Sequence, residues 1–279
     1  MIRANKKIRI LYSVIAILVA ALIAFPVIWM IPAAFKTKSE LFTIPNTFLP
    51  KEFTLENFIK VFQVDVNGST YLKALGSTTV VALISTVLSL SINMFAGYVF
   101  ARFEFRGKRF LWAFVMFSMF IPGITIMLTS IRMINLLHMN DTLWALIVPG
   151  LANSYNIFFF RQFYLSIPQN IEEAALIDGE SKFMMFFRIF LPMSTTPMVI
   201  IGVGTFMGCW NNFIWPTLTV TDNTAITQIM QIIRSLNGSY QGEYGVVIAA
   251  TLMSLIIPIV LFAVFQKRIL EGISLTGMK

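Results

Sequence analysis

The sequence predicts an all-α integral membrane protein with six transmembrane helices, and three observations carry that reading. Of 279 residues, 57% are hydrophobic and only 12% charged, about half the charged share of a soluble domain. Lys, Arg, Asp and Glu are absent from six windows, 10–35, 74–101, 110–131, 142–160, 189–221 and 244–266, of 26, 28, 22, 19, 33 and 23 residues. A helix of ~20 apolar residues crosses ~30 Å of hydrocarbon, so every window can span, and the longest has residues to spare. Six crossings put both termini on one side, together with fourteen of the 21 Lys and Arg, among them Arg3, Lys6, Lys7, Arg9 and Lys279. This excess of positive charge assigns the termini to the cytoplasm. It also accounts for the net charge of +8 without a nucleic-acid partner.

Taken in order, the first window is expected to stay as a span, because its apolar run is too long for the h-region of a signal peptide. An outer segment, 37–72, follows. In it Thr54 can cap a short helix in "FTLENFIKVF" whose apolar side is Phe58, Ile59 and Phe62. That helix either lies on the membrane surface or docks something from outside. The second span ends in "GYVFARFEFRGKRF", a tight basic turn around Gly107. The third carries "FIPGITIM", where Pro122 removes a backbone hydrogen bond and Gly123 weakens the helix further. A break at membrane depth needs neighbours or a cavity to satisfy the freed carbonyl. Loop 131–141 returns the chain to the fourth span, and the fifth carries Gly204 and Gly208 at GxxxG spacing, a close-approach face. The single Cys209 excludes an internal disulfide and reads as a packing residue. The single His138 reads as a loop residue, and one of each makes no metal cluster.

Between the fourth and fifth spans lies a long stretch carrying charged residues, 162–190, on the cytoplasmic side. A helix connector needs about two to eight residues, so the extra length calls for a task. Ser166, Ile167, Pro168 and Gln169 form a capping box. Glu172 and Glu173 then sit in the early turns, where acids suit the helix dipole. Ala174 and Ala175 keep one face flat, Gly179 ends the helix, a second amphipathic piece over 181–190 lies on the surface, and Pro192 opens the fifth span.

The spacing Glu173-Ala174-Ala175, three residues, Gly179, nine residues, Ile189-Phe190-Leu191-Pro192 resembles the EAA signature of ABC-importer permeases. "AGYVFARFEFRGKRF", "FFFRQFYLSIPQNIEEAALIDG" and "WNNFIWP" likewise resemble carbohydrate-importer permeases of the maltose type, in the place of the second membrane subunit. Asn212 stands where that family usually has an acid. The resemblance implies a type I ABC-importer transmembrane fold in a prokaryotic cell membrane. It divides the chain into 1–70, a transmembrane domain 71–268 and a cytoplasmic tail 269–279. It also implies a heterodimer with a second permease, two cytoplasmic ABC ATPases and an extracellular solute-binding protein that delivers carbohydrate. Glu172, Glu173, Ala174, Ala175, Asp178, Gly179, Ile189, Leu191 and Pro192 become the ATPase-coupling residues, with Glu173 contacting a basic group on the ATPase.

No G-x4-G-K-[ST] occurs in the chain, so ATP and Mg belong to the partner ATPase and no cofactor is expected here. Polar groups in lipid are costly unless they face the bundle interior. This makes Asn93, Asn153, Ser154, Tyr155, Asn156, Trp210, Asn211, Asn212 and Trp215 candidates for lining the translocation path. The competing reading is that they bond neighbouring helices, with the two Trp in the interfacial belt. The same architecture could import a glycerol phosphate ester or another polyol. A secondary transporter would show an ionisable residue within a span, and a membrane enzyme would show an acidic pair or a His cluster; the six windows hold neither.

Overall fold

The computed structural model describes residues 6–45, 47–66, 68–239 and 243–276. Arg3 and Lys279, which contribute to the charge bias, lie outside the described residues. In chain order the helices are α1 (Lys6–Ala34), α2 (Lys38–Leu41), α3 (Glu56–Gln63), α4 (Tyr71–Arg102), α5 (Lys108–Ser118) and α6 (Gly123–Leu136). They continue with α7 (Leu143–Ile147), α8 (Ser154–Ser166), α9 (Gln169–Ile177), α10 (Lys182–Met185) and α11 (Leu191–Met193). The last four are α12 (Thr195–Trp210), α13 (Ile214–Thr219), α14 (Ile229–Ser239) and α15 (Tyr244–Thr276).

Three of the six expected spans are single helices, and the count reaches six when each of three bent helix pairs is taken as one span. α1, α4 and α15 are each long and apolar enough to cross a membrane. The other three are bent pairs: α5 with α6 by 106°, α7 with α8 by 46°, and Lys182–Met193 with α12 by 79°. The first break falls at Pro122–Gly123, as the missing N–H requires. The third follows a π-helical turn, Phe186–Phe190, that joins α10 to α11. Pro192 would clash with the carbonyl four residues back, and the wider turn relieves that clash before the chain bends at Ser194. The spare length of window 189–221 becomes α13.

The chain forms two compact units, 1–66 with 233–256 and 67–232 with 257–279. In the first unit, Asn57 on α3 donates to the carbonyls of Ala34 (2.8 Å) and Lys36 (2.9 Å) at the end of α1. The start of α15 comes so close that a Cβ on Gly245 would lie 2.6 Å from the Asn57 side chain. Thr54 does accept from the Glu56 N–H at 3.1 Å, and the expected apolar side of the helix is turned largely outward, with Phe58 half-buried. Ile59 and Phe62 are exposed, while Asn57 and Val61 are buried. The carbonyls after α1 need a donor, and that need decides which side turns in.

In the second unit α4 is the central column, with α8 and α12 packed on it. Within lipid, close packing rather than water exclusion holds helices together. At Gly97 a Cβ would stand 2.8 Å from Phe160 Cβ and 3.0 Å from the Arg161 nitrogen, so α4 and α8 touch there only because glycine has no side chain. Tyr98, Phe160, Tyr164 and Phe190 are fully buried beside it, with Tyr98 centred 4.8 Å from Phe190 and 5.9 Å from Tyr164. The expected GxxxG pair plays no such part: nothing lies within 4 Å of a Cβ built on Gly204 or Gly208.

Candidate functional site

The stretch 162–190 is more deeply tied into the fold than its polarity suggests. α8 runs through Ser166, whose hydroxyl donates to the Phe163 carbonyl at 2.7 Å, so the expected capping box does not form. α9 starts after Pro168 without a side-chain cap. It stops where expected: Gly179 has φ +82, a left-handed value that favours glycine. The piece 181–190 is not surface-lying. Ser181 caps α10, and Met185, Phe186 and Phe190 are buried in the core around Tyr98.

α9 has two faces. Glu172 and Ala175 are buried, whereas Glu173, Ala174, Asp178 and Ile177 are exposed, Ile177 by 87%. Glu172 meets two cations, Arg102 Nη1 at 3.4 Å and Lys182 Nζ at 3.3 Å. Arg102 also donates through Nη2 to the carbonyls of Tyr164 and Ile167, both at 2.6 Å. Lys182 donates to the Arg102 carbonyl at 3.1 Å, and the Tyr98 hydroxyl donates to the Lys182 carbonyl at 2.6 Å. One planar fork therefore serves α8 and α9 at once, a task a lysine's single point charge does not perform. Of the coupling residues expected from sequence, Glu173, Ala174, Asp178 and Gly179 occupy the free face. Glu172 and Ala175 face the chain's own helices, Ile189 and Leu191 pack against the core, and Pro192 is exposed. Arg102 and Lys182 were not singled out from the sequence, although both are basic residues at the ends of apolar runs.

A cavity of about 820 Å³ opens among α4, α6, α8 and α12. Asn153, Tyr155, Asn156, Asn212 and Trp215 line it, joined by Gly123 at the break of the third span and by Gly204, Gly208 and Cys209. The glycines widen the cavity instead of gripping a helix, and Cys209 forms wall rather than packing. Four candidates stand elsewhere. Asn93 is fully buried, donating to the Leu151 carbonyl at 2.8 Å and accepting from the Asn153 N–H at 2.9 Å, so it braces the break between α7 and α8. Trp210 is 1% exposed and stacked on Phe206 at 5.7 Å. Asn211 is exposed and does not line the cavity. Ser154 pairs with Ser118 at 2.5 Å. Four hydroxyls went unnoticed in the sequence, Ser85, Ser89, Ser130 and Thr205; short polar side chains in apolar text leave almost no signal.

Where the third span's far end turns into α7, Asp141 holds the chain after α13. Its carboxylate accepts from the backbone N–H groups of Thr221 (2.7 Å), Asp222 (2.9 Å) and Asn223 (3.1 Å). Burial pushes this carboxyl up, but the Asn223, Asp222 and Thr221 N–H groups outweigh it and hold the carboxyl below its ordinary range.

With this geometry in view, comparison with known proteins gives three findings. The family model described as binding-protein-dependent transport system inner membrane component matches residues 93–271. The chain is 29% identical over 263 residues to the arabinooligosaccharides transport system permease protein AraQ of Halalkalibacterium halodurans, covering 94% of this chain and 93% of that one. It is 30% identical over 262 residues to the sn-glycerol-3-phosphate transport system permease protein UgpE of Escherichia coli, covering 92% of each. Among solved structures, one chain of a bacterial ABC transporter involved in the import of the acidic polysaccharide alginate superposes with a TM-score of 0.81 at 20% identity. That match covers 96% of this chain and 99% of the other, and it shares the fold.

Proposed function

The chain belongs to the family of binding-protein-dependent transport system inner membrane components, and from that membership we propose that it is one of two paired permeases in an ATP-driven carbohydrate importer. An extracellular binding protein delivers the cargo, and this chain supplies half of the path across the membrane. Two ABC ATPase subunits on separate chains hold ATP and Mg, and both termini of the permease are cytoplasmic. Coupling passes through α9. Carbohydrate is favoured by the arabinooligosaccharide permease among the relatives and by amide, hydroxyl and aromatic groups around one cavity.

What supports this reading most directly is the division of α9 into a fastened and a free face. Glu172 ties the helix to α4 and α10, while Glu173, Ala174 and the exposed Ile177 are left to a partner. A helix held rigidly on one side can pass a push from its other side into the spans. The test is purification of the tagged chain from its own membranes, with a cross-linker placed by Ile177→Cys in a Cys209→Ser background. An ATPase and a second permease should co-elute, and the linker should join residue 177 to the ATPase. Recovery of the chain alone, or labelling of residue 177 by an impermeant reagent from outside the cell, would overturn the reading.

A further inference from the structure

We infer that the cavity accepts an uncharged polyhydroxy cargo, a neutral saccharide or polyol, which Ser85 and Asn156 touch directly; the inference rests on the permease reading above. Ser85 is 5% exposed, and its hydroxyl has no hydrogen-bond partner better than the neighbouring Cys209 thiol. Asn156 is 9% exposed. Its backbone N–H goes to Asn153 at 3.1 Å, and its side-chain amide is left to the cavity. A buried hydroxyl without a strong partner is unfavourable, so Ser85, on the same wall as the open Asn156 amide, marks a place that something else visits.

The chemistry of that visitor follows from what the wall contains and lacks. Hydroxyls and amides both donate and accept, which is what each sugar hydroxyl needs in return. The Trp215 indole is pinned through its N–H to the Ala145 carbonyl at 2.8 Å, fixing the ring at the cavity wall as an apolar surface for the C–H faces of a pyranose or furanose. Among the described residues, no Lys, Arg, His, Asp or Glu lines the cavity. A phosphate ester or uronate carried to this depth would find no cation on this chain's wall, and an unpaired charge in a low-dielectric wall is far more costly than an unpaired hydroxyl. The volume of about 820 Å³ lies within the range of small-molecule sites.

The test is uptake, by cells carrying the assembled transporter, of labelled neutral pentose and hexose oligosaccharides against glycerol 3-phosphate and an oligouronate, with co-purification of the ATPase followed in parallel. Neutral cargo should enter and charged cargo should not. Ser85→Ala with Asn156→Leu should lower neutral uptake about tenfold, the loss of roughly one good hydrogen bond, while the assembly still co-purifies. Asn156→Asp, nearly the same shape with a charge, should do the same. Entry of the phosphate ester or uronate, unchanged neutral uptake in both variants, or an assembled complex that imports no neutral cargo would overturn the inference and leave the permease reading standing. Failure of the wild-type chain to co-purify with an ATPase would instead remove the reading on which it rests.

Discussion

Arg102 and Glu172 form a buried ion pair between the end of α4 and the inner face of α9, 3.4 Å apart, while the same guanidinium holds two carbonyls at the end of α8. Removing one member of a buried pair leaves an uncompensated charge, at a cost of about 3–5 kcal/mol. Glu172→Ala should therefore lower the thermal unfolding midpoint of the purified assembly markedly. Glu172→Gln, which keeps an acceptor, should lower it less. An unchanged midpoint for Glu172→Ala would mean that the pair does not fasten α9.

Glu173, one residue on, should behave in the opposite way. It is exposed and makes no ion pair among the described residues, so Glu173→Lys should shift stability by no more than about 0.5 kcal/mol. Uptake should nevertheless fall sharply, since a broken interfacial charge pair costs about 2–5 kcal/mol of docking. Transport assays beside unfolding curves separate the two glutamates, and wild-type uptake in the Lys variant would refute the docking role.

Two glycines predict opposite results for one added methyl. Gly97→Ala places a Cβ 2.8 Å from Phe160 Cβ. Such overpacking costs about 1–3 kcal/mol, visible as a lower unfolding midpoint in detergent. Gly204→Ala meets nothing within 4 Å and should leave stability unchanged or raise it slightly, through its better helix propensity. Equal effects at both positions would contradict the packing described.

Asp141 supplies a pH dependence. Its carboxyl is depressed in the folded protein by the N–H groups it accepts from, against the opposing effect of burial. A depressed folded value stabilises above the unfolded one, about pH 4, and this contribution is lost as the pH falls through the folded value. Hydrogen exchange at Thr221, Asp222 and Asn223 should therefore accelerate under strongly acidic conditions and stay slow at neutral pH. Asp141→Asn should exchange faster at neutral pH and lose the pH dependence.

The six windows were legible because an uncharged run of this length has few other uses, and the break at Pro122 because proline lacks an N–H. The break between α7 and α8 was not legible. It is braced by Asn93, whose partners lie 58 and 60 residues further on, and no local pattern reports such a partner. The same limit separated the lining candidates. Asn93, Trp210 and Asn156 have the chemistry of lining residues, but neighbours took the first two into the core and left Asn156 on the cavity. GxxxG spacing marked Gly204 and Gly208, while a glycine that does allow helix contact, Gly97, carries no spacing signal. The gripping role of Glu172 was hidden for a related reason: adjacent residues of a helix differ by ~100° in direction, and the distant Arg102 and Lys182 decide which of the two acids turns inward.

That angular difference makes α9 a keyed shaft. A residue inserted or deleted within α9 ahead of Glu172 would rotate the rest of the helix by more than a quarter turn, offering Arg102 the wrong side chain and turning the outer face away from its present direction. Point changes on the outer face leave this register alone, but the length of this corner cannot change, so the gear tolerates respelling and not miscounting.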